Sequence, residues 1–302
     1  MNYYNEIKNE LINNEIYKKV KDYSKTRNDL NTYYNVGKLL IEAQGGEDRA
    51  KYGDGLIKEY SIRLTNELGK GYNTTSLKRM RTFYLLIQKG APMAHQLSWS
   101  HYCEVIALKD INKINYFIKI SIEQNLSKRE LRNKIKCNEY ERLDENTRSK
   151  FTKENYDNQI KDFIKHPILI KNTLNYQDIS ERILKQLILE DLDNFLSELG
   201  NGFTYIKNEY KIKLGNQYNY IDLLLYNIEF NCYIVIELKI TGLKKEHIGQ
   251  IQTYMNYIDK NLKTINQDKT IGIIICKKDN QFIMEYCSDD RIYRTTYELI
   301  NT

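Results

Sequence analysis

Residues 220–254 read YIDLLLYNIEFNCYIVIELKITGLKKEHIGQIQTY, with acidic and basic residues set into apolar runs. Two apolar runs are separated by a short polar segment and followed by a run with helical spacing, which predicts strand, turn, strand and helix. Asp222 interrupts the first run, while Glu237 and Lys239 interrupt the second. Because side chains alternate between the two faces of a strand, Glu237 and Lys239 share one face and Leu238 points to the other.

Charged side chains in an apolar strand need a partner, because burial of an unpaired charge costs several kcal/mol. If the two strands pair antiparallel, Asp222 and Glu237 meet at one end of the sheet beside Lys239. Neighbouring carboxylates repel each other unless a cation lies between them, and their hard oxygen atoms suit Mg²⁺ or Mn²⁺. The stretch therefore predicts a metal-dependent hydrolase, in which Lys239 positions the nucleophile or stabilises the developing anion.

Each of these residues also has a purely structural interpretation. Asp222 would then accept hydrogen bonds in a turn, and Lys239 would neutralise Glu237 as a structural ion pair. Gln250 and Tyr254 lie one turn apart on the predicted helix, so they share a face. That face fits either an active site or an ordinary amphipathic surface. The three charged residues together, at this spacing, favour the metal site.

The spacing D-x14-E-x-K, carried on two strands and followed by a helix, resembles the PD-(D/E)XK nuclease superfamily. Four segments resemble the nuclease domain of the YhcG family: YIDLLLYN (220–227), CYIVIELKI (232–240), HIGQIQTYMNYID (247–259) and TIGIIIC (270–276). Three earlier segments resemble the N-terminal domain of the same family: YYNVGKLLIEAQ (33–44), AKYGDGLIKEYSIRLTNELGKGYNTTSLKRMRTFY (50–84) and QLSWSHYCEVIAL (96–108). The resemblance covers most of the 302 residues.

The resemblance implies an α/β restriction-endonuclease-like domain with a central mixed sheet, which hydrolyses DNA with Mg²⁺ or Mn²⁺. It implies that Asp222, Glu237 and the backbone carbonyl of Leu238 hold the metal. Lys239 and Gln250 would complete the catalytic residues, with Tyr254 as a further candidate. The implied settings are DNA recombination or repair and defence against mobile DNA. The alternative is a catalytically weak subunit that binds DNA or protein in a larger defence or recombination assembly.

An acid from the helix that precedes the strands often completes such sites, and Glu181 is the candidate here. Its competing interpretation is a capping box with Asp178, three residues earlier. The resemblance places a further acid one turn later, where this chain has Lys185 instead. A lysine does not bind a metal as a carboxylate does. This departure therefore weakens the prediction that the helix supplies metal ligands and that a second metal ion binds there. Glu209 on the first predicted strand is a weaker candidate.

Positive charge is concentrated in the first half of the chain. Residues 1–150 contain 27 Lys and Arg against 19 Asp and Glu, a net charge of +8, and residues 151–302 contain 19 against 21, a net charge of −2, giving the total of +6. No acid lies between Glu67 and Glu104. A helix, a Gly-containing turn at 69–73 and a second helix capped by Thr75 or Ser76 outline a helix-turn-helix. Its candidate DNA-binding residues are Lys70, Lys78, Arg79, Arg81 and Lys89. The other interpretation is a bundle helix with a solvated cationic face.

The chain is thus expected to have two domains, an all-α helix-turn-helix-like domain over 1–143 that binds DNA or a partner, and the nuclease domain over 178–302. The polar segment 144–177 is expected to connect them. The nuclease domain is predicted to contain one helix over 178–200, strands over 203–213, 218–226, 232–240 and 270–276, and a helix over 244–259. Segments 282–287 and 292–299 would extend the sheet or pack on its edge.

The remaining features exclude several classes of protein. No apolar run is long enough to span a bilayer, and the first residues lack an apolar secretory core, so a cytoplasmic location without membrane contact is expected. Five widely spaced cysteines without a CxxC pair indicate neither a disulfide framework nor a zinc site. The expected partners are DNA and either a second copy of the chain or proteins of restriction or recombination systems.

Overall fold

The computed structural model describes residues 2–19, 25–46, 54–150, 159–285 and 287–301. The chain divides into two compact units, residues 1–140 and 141–302. The predicted fold class is confirmed, since a helical unit precedes an α/β unit with a six-stranded mixed sheet. No helix formed by the described residues is both long enough and apolar enough to cross a membrane.

The described elements of the first unit are helical. They are α1 (Tyr3–Lys19), α2 (Lys25–Ala43), α3 (Asp54–Leu68), α4 (Thr74–Gln88), α5 (Trp99–Val105), α6 (Ile111–Glu123) and α7 (Lys128–Lys136). Helices α2 and α4 pack closely at Gly37, where an added Cβ would lie 2.2 Å from the carbonyl oxygen of Met80. This approach requires glycine, because any larger residue would push the two helices apart.

The predicted helix, turn and basic helix are α3, a 3₁₀ turn (Lys70–Tyr72) and α4. Gly69 enters the turn with a φ of 105°, which favours glycine. The cap of α4 differs from the prediction, because the side chain of Asn73 accepts a hydrogen bond from the Ser76 N–H at 2.9 Å. Asn is as good a capping residue as Ser, so the sequence alone did not separate them.

The second unit contains helices α8 (Glu145–Lys150), α9 (Glu181–Glu190), α10 (Leu192–Leu199), α11 (Lys245–Asn261) and α12 (Gln281–Glu285). Its strands are β1 (Ile168–Lys171), β2 (Phe203–Leu214), β3 (Gln217–Asn227), β4 (Cys232–Gly242), β5 (Ile271–Lys278) and β6 (Ile292–Ile300). They lie in the order β1-β6-β5-β4-β3-β2. Strands β2, β3 and β4 are antiparallel neighbours, and β4, β5, β6 and β1 run parallel.

Both faces of the central strands are buried. On one face, Leu223 and Ile236 belong to a core that includes residues of α9 and α10. On the other face, Leu224 and Val235 belong to a core that includes residues of α11. Because both faces of the sheet are covered, β4 is a continuous apolar run. Charged residues within such a strand are buried, and they require a partner or a function.

Part of the expected connection 144–177 belongs to the sheet. Strand β1 pairs with β6 at the sheet edge, with Ile168 opposite Tyr297. A buried ion pair between Arg142 and Glu198 holds the same segment, because Arg142 also donates to the Pro167 carbonyl at 2.8 Å and Glu198 accepts from the Leu169 N–H at 2.9 Å. The segment is polar and contains a proline. A strand of only four residues within it is too short to show a periodic pattern.

The single helix predicted over 178–200 is two helices, α9 and α10, with a break at Asp191. The Asp191 carboxylate lies 2.5 Å from the Lys171 ammonium of β1, a tertiary contact that apolar periodicity does not reveal. Of the two later segments, 292–300 forms β6, which lies between β5 and β1 inside the sheet. The other begins with helix α12 instead of a strand.

Candidate active site

Asp222 and Glu237 meet where the β3–β4 ladder ends. The last paired residues at this end are Leu223 and Ile236. Asp222 directly precedes Leu223 in the chain, and Glu237 directly follows Ile236. One carboxylate oxygen of Asp222 accepts a hydrogen bond from the Leu238 N–H at 3.0 Å, in place of a ladder bond. In a strand, the N–H and C=O of one residue point to the same neighbour, so the Leu238 carbonyl also faces the Asp222 side. The three predicted metal ligands are therefore close together.

Glu237 is the buried acid of the group, with 2% of its surface exposed. Its Oε2 accepts from the Lys239 ammonium at 3.2 Å, whereas its Oε1 is buried and has no hydrogen-bond partner among the described residues. Burial, followed by the charge of Asp222, raises the pKa of Glu237 to about 7, although Lys239 acts in the opposite direction. A buried oxygen without a partner fits a cation ligand, because such an atom otherwise bears the full cost of desolvation.

Lys239 joins β4 to helix α9. Its ammonium lies 3.2 Å from Glu237 Oε2 and 4.0 Å from Glu181 Oε1. Helix α9 begins at Glu181 and is capped by Ser180, whose hydroxyl accepts from the Ile183 N–H at 3.2 Å. The capping-box interpretation of Glu181 is therefore wrong, because Asp178 lies before the cap. The Glu181 carboxylate, 45% exposed, is available to the charged group instead.

Lys185 lies one turn further along α9 and contacts Asp222 directly. Its ammonium is 2.7 Å from Asp222 Oδ1 and 3.3 Å from Glu209 Oε1. Partial burial acts to lower the pKa of Lys185, but the two carboxylates together raise it above its usual value. Both oxygens of Asp222 are thus engaged, one by Lys185 and the other by the backbone of β4. Lys185, which stands where the family pattern has an acid, thus places a positive charge beside Asp222, a predicted metal ligand.

Helix α11 brings Gln250 and Tyr254 to the face that covers β4. The Gln250 side-chain amide donates to the Tyr254 hydroxyl at 3.0 Å, and Tyr254 is buried in the α11 core. Sequence reasoning missed His247, three residues before Gln250 on the same helix. Burial, followed by the charges of Lys239 and Lys244, lowers the pKa of His247, which places it near the charged group. Its i,i+3 spacing from Gln250 was the signal.

The donor set suits a weakly chelated divalent ion. Among the described residues, no group of three or more His, Cys, Asp or Glu side chains could hold a metal. The ligands predicted from the sequence are two carboxylates and one backbone carbonyl. Mg²⁺ is commonly held by one or two carboxylates and keeps several waters, so this set fits it better than it fits Zn²⁺.

Two family models match the chain, one for each unit. Residues 161–300 match the model described as "YhcG PDDEXK nuclease domain", and residues 9–142 match the one described as "DUF1016 N-terminal domain". The chain carries a YhcG PDDEXK nuclease domain. The DUF1016 N-terminal domain precedes it, and the resemblance to the YhcG family predicted from the sequence is confirmed. Nucleases of the PD-(D/E)XK type typically use a divalent metal.

A curated relative covers most of the chain. This is the Escherichia coli (strain K12) protein named "Putative nuclease YhcG", 23% identical over 283 residues, which represent 81% of this chain and 76% of that protein. Among solved structures, a repair endonuclease from Pyrococcus abyssi matches with 16% identity, a TM-score of 0.29, and coverage of 40% of this chain and 48% of its own. The EndoMS–dsDNA2 complex matches with 16% identity, a TM-score of 0.30, and coverage of 40% and 47%. The chain spans just under half the length of these two endonucleases.

The candidate DNA-binding residues of the first unit differ in their surroundings. Lys70, Arg79 and Lys89 are exposed, whereas Lys78 and Arg81 are partly buried. The Arg81 guanidinium donates to Gln44 Oε1 at 3.3 Å, so it also links α4 to the end of α2. A role for these residues in binding DNA stays a prediction.

Proposed function

We propose that the YhcG nuclease domain of this chain is a metal-dependent deoxyribonuclease. The observation that carries the proposal is the position of Asp222 beside the backbone of Leu238, next to Glu237, whose Oε1 has no hydrogen-bond partner in the part of the chain that the structure describes. Burial and the nearby charge of Asp222 raise the pKa of Glu237, an arrangement that fits a cation-binding site. Asp222, Glu237 and the Leu238 carbonyl would hold Mg²⁺ or Mn²⁺.

The bound ion would lower the pKa of a coordinated water and neutralise charge on the phosphodiester. Lys239 is suited to orient the attacking water, because its ammonium is fixed between Glu237 and Glu181. Gln250 presents a side-chain amide that Tyr254 holds in place, which suits it to contact the substrate phosphate. In-line attack would leave a 5′-phosphate, by analogy with the superfamily.

The proposal is tested by nicking of a supercoiled plasmid with the purified full-length chain and Mg²⁺ or Mn²⁺. We expect Asp222→Ala and Lys239→Ala to lower the cleavage rate at least about 100-fold, the effect of removing one group that stabilises the transition state. Asp268→Asn and Lys269→Gln are the matched controls, since both residues are exposed and precede β5 at the opposite end of the sheet.

Activity that all four variants retain would contradict the proposed site, and so would cleavage that continues in EDTA. Supercoiled, linear and branched DNA should be compared, because the sequence predicts no preferred DNA structure. Cleavage of RNA but not of DNA would contradict the assignment of the substrate.

A second candidate is a subunit that binds DNA or protein and cleaves weakly. Lys185 favours it, because its ammonium forms an ion pair with Asp222 Oδ1 and so competes with a metal for that oxygen. The same assay separates the two functions. Metal-independent binding without cleavage of any of these substrates would favour the binding subunit.

A further inference from the structure

The β2–β3 hairpin continues past the last residues at which β3 pairs with β4. Strand β3 pairs with β4 only through residues 223–227, whereas it pairs with β2 as far as Gln217. We call residues 210–221 the hairpin arm. The arm contains Lys211 and Lys213 and no acidic residue, so its net charge is positive.

The two faces of the hairpin arm differ in character. Ile212 and Ile221 belong to the buried core that includes residues of α11, and Tyr210 and Leu214 pack against it. Lys211 pairs with Tyr220, and Lys213 pairs with Tyr218. Because residues opposite each other in an antiparallel pair share a face, as do residues two apart, these four side chains lie on one face. We call them the Lys–Tyr face.

The Lys–Tyr face is open to solvent. Tyr218 and Tyr220 are 55% and 53% exposed, and both lysines are exposed as well. The Lys211 ammonium lies 3.8 Å from the centre of the Tyr218 ring, and that of Lys213 lies 5.9 Å from it. These cation–π contacts hold the ring beside two positive charges. An aromatic ring with adjacent cations is the combination that binds a nucleic-acid strand, by base stacking and by phosphate attraction.

From this geometry we propose that the Lys–Tyr face binds an unpaired strand of the DNA substrate. Stacking requires a free base face, which bases inside a duplex do not offer to a protein surface. Two residues along β3 span about 6.6 Å, roughly twice the 3.4 Å rise per nucleotide of one duplex strand. The two tyrosines therefore match neighbouring bases that are no longer stacked on each other.

The face continues toward the candidate active site, and this inference rests on the proposed function. Tyr220 lies two residues before Asp222 on β3, and Lys211 lies two residues after Glu209 on β2. Glu209 in turn contacts Lys185, which contacts Asp222. A strand held on the arm would thus lead toward the acids at the end of the β3–β4 ladder. The expected substrates have an unpaired segment next to the cleaved bond, such as frayed ends, flaps or branches.

Lysines on this hairpin also have a protective explanation. Strand β2 forms one edge of the sheet, and charged side chains on an edge strand oppose pairing with other chains. Protection accounts for the lysines, but it does not account for two half-exposed tyrosines. If the lysines only protect the sheet edge, replacement of the tyrosines will not change DNA binding. The tyrosine variants therefore separate the two explanations.

The test measures fluorescence anisotropy of labelled oligonucleotides of about 16 nucleotides, in EDTA, with the full-length chain. The probes are single-stranded DNA, blunt duplex DNA and single-stranded RNA. The variants are Tyr218→Ala/Tyr220→Ala and Tyr218→Phe/Tyr220→Phe. The phenylalanine pair is the control for loss of the hydroxyl groups, and none of these substitutions changes the net charge. Thermal unfolding by circular dichroism verifies that each variant folds.

We expect the alanine pair to weaken single-stranded DNA binding at least about tenfold, because loss of stacking on each base weakens binding about fivefold or more and two stacks are lost. The phenylalanine pair should retain binding, and the duplex should lose far less affinity than the single strand. Three results would overturn the inference: unchanged single-strand binding by the alanine pair, an equal loss for duplex and single strand, or tighter binding of RNA than of DNA. Loss of plasmid nicking in all conditions, with tyrosine-dependent strand binding intact, would instead overturn only the proposed nuclease function.

Discussion

Glu237 should destabilise the metal-free protein at neutral and alkaline pH. Its carboxyl has a pKa of about 7 in the folded chain, against an ordinary value of 4.5. Well below pH 4.5 the acid is protonated in both the folded and the unfolded chain, so its titration has no effect on stability. As the pH rises toward 7, the unfolded chain releases this proton while the folded chain keeps it. The free energy of unfolding therefore falls across this range.

The difference between 4.5 and about 7 corresponds to about 3 kcal/mol, at about 1.36 kcal/mol for each pH unit. Glu237→Gln keeps the shape of the side chain and removes the titration. The stability of the variant relative to wild type should thus rise by about 3 kcal/mol between pH 4.5 and pH 8, while nuclease activity is lost. The attraction between Lys239 and the ionised Glu237 is already contained in the folded-state pKa of about 7, so it adds no further pH dependence to the comparison.

The assay is urea unfolding in EDTA at several pH values, followed by far-UV circular dichroism. Fluorescence of Trp99, the single tryptophan of the chain, reports on the first unit and should show the same transition in wild type and variant. Glu229→Gln, an exposed carboxylate in the β3–β4 turn, is the matched control and should show no such trend. A stability difference between Glu237→Gln and wild type that does not change with pH would contradict a raised pKa of Glu237 in the folded chain.

Two further predictions concern ion pairs of the second unit. Glu198→Ala should lower the free energy of unfolding by about 3 to 5 kcal/mol, because it leaves the buried Arg142 guanidinium without its carboxylate. Urea unfolding measures this loss of stability, and a loss under about 1 kcal/mol would show that the pair behaves like a surface contact. Lys185→Met should tighten Mn²⁺ binding about tenfold, or about 1.4 kcal/mol, because the ammonium no longer competes for Asp222 Oδ1; isothermal titration calorimetry measures the affinity, and weaker binding would show that Lys185 supports the site.

The parts of the fold that local patterns determine were predicted well. Strands β3 and β4 follow apolar runs bounded by polar turn residues, and the observed β2, β3 and β4 each lie within a few residues of their predicted bounds. The meeting of Asp222 and Glu237 followed from one further assumption, that consecutive strands joined by a short turn pair antiparallel. Their metal-binding role stays a prediction.

The parts that depend on long-range contacts were not predictable in the same way. Strand β1 forms by pairing with β6, which lies about 130 positions later in the chain. The break between α9 and α10 coincides with the contact between Asp191 and Lys171. Lys185 was visible as a departure from the family pattern, but its contact with Asp222 required the tertiary structure. His247 was overlooked because its spacing of three residues from Gln250 indicates a shared helix face but not the nearby charge of Lys239, which comes from another element.

The position of β6 between β5 and β1 has a consequence for biosynthesis. The meander of β2, β3 and β4 is local in sequence, so the acids and the lysine can come together soon after this segment leaves the ribosome. Strand β1, made much earlier, has no neighbour in the sheet until residues 292–300 have been translated. Non-local pairing of this kind is slow, so we expect the nascent chain to expose an open sheet edge until its last strand arrives. Chaperone binding during translation would therefore concentrate on β1 and the exposed edge of β5.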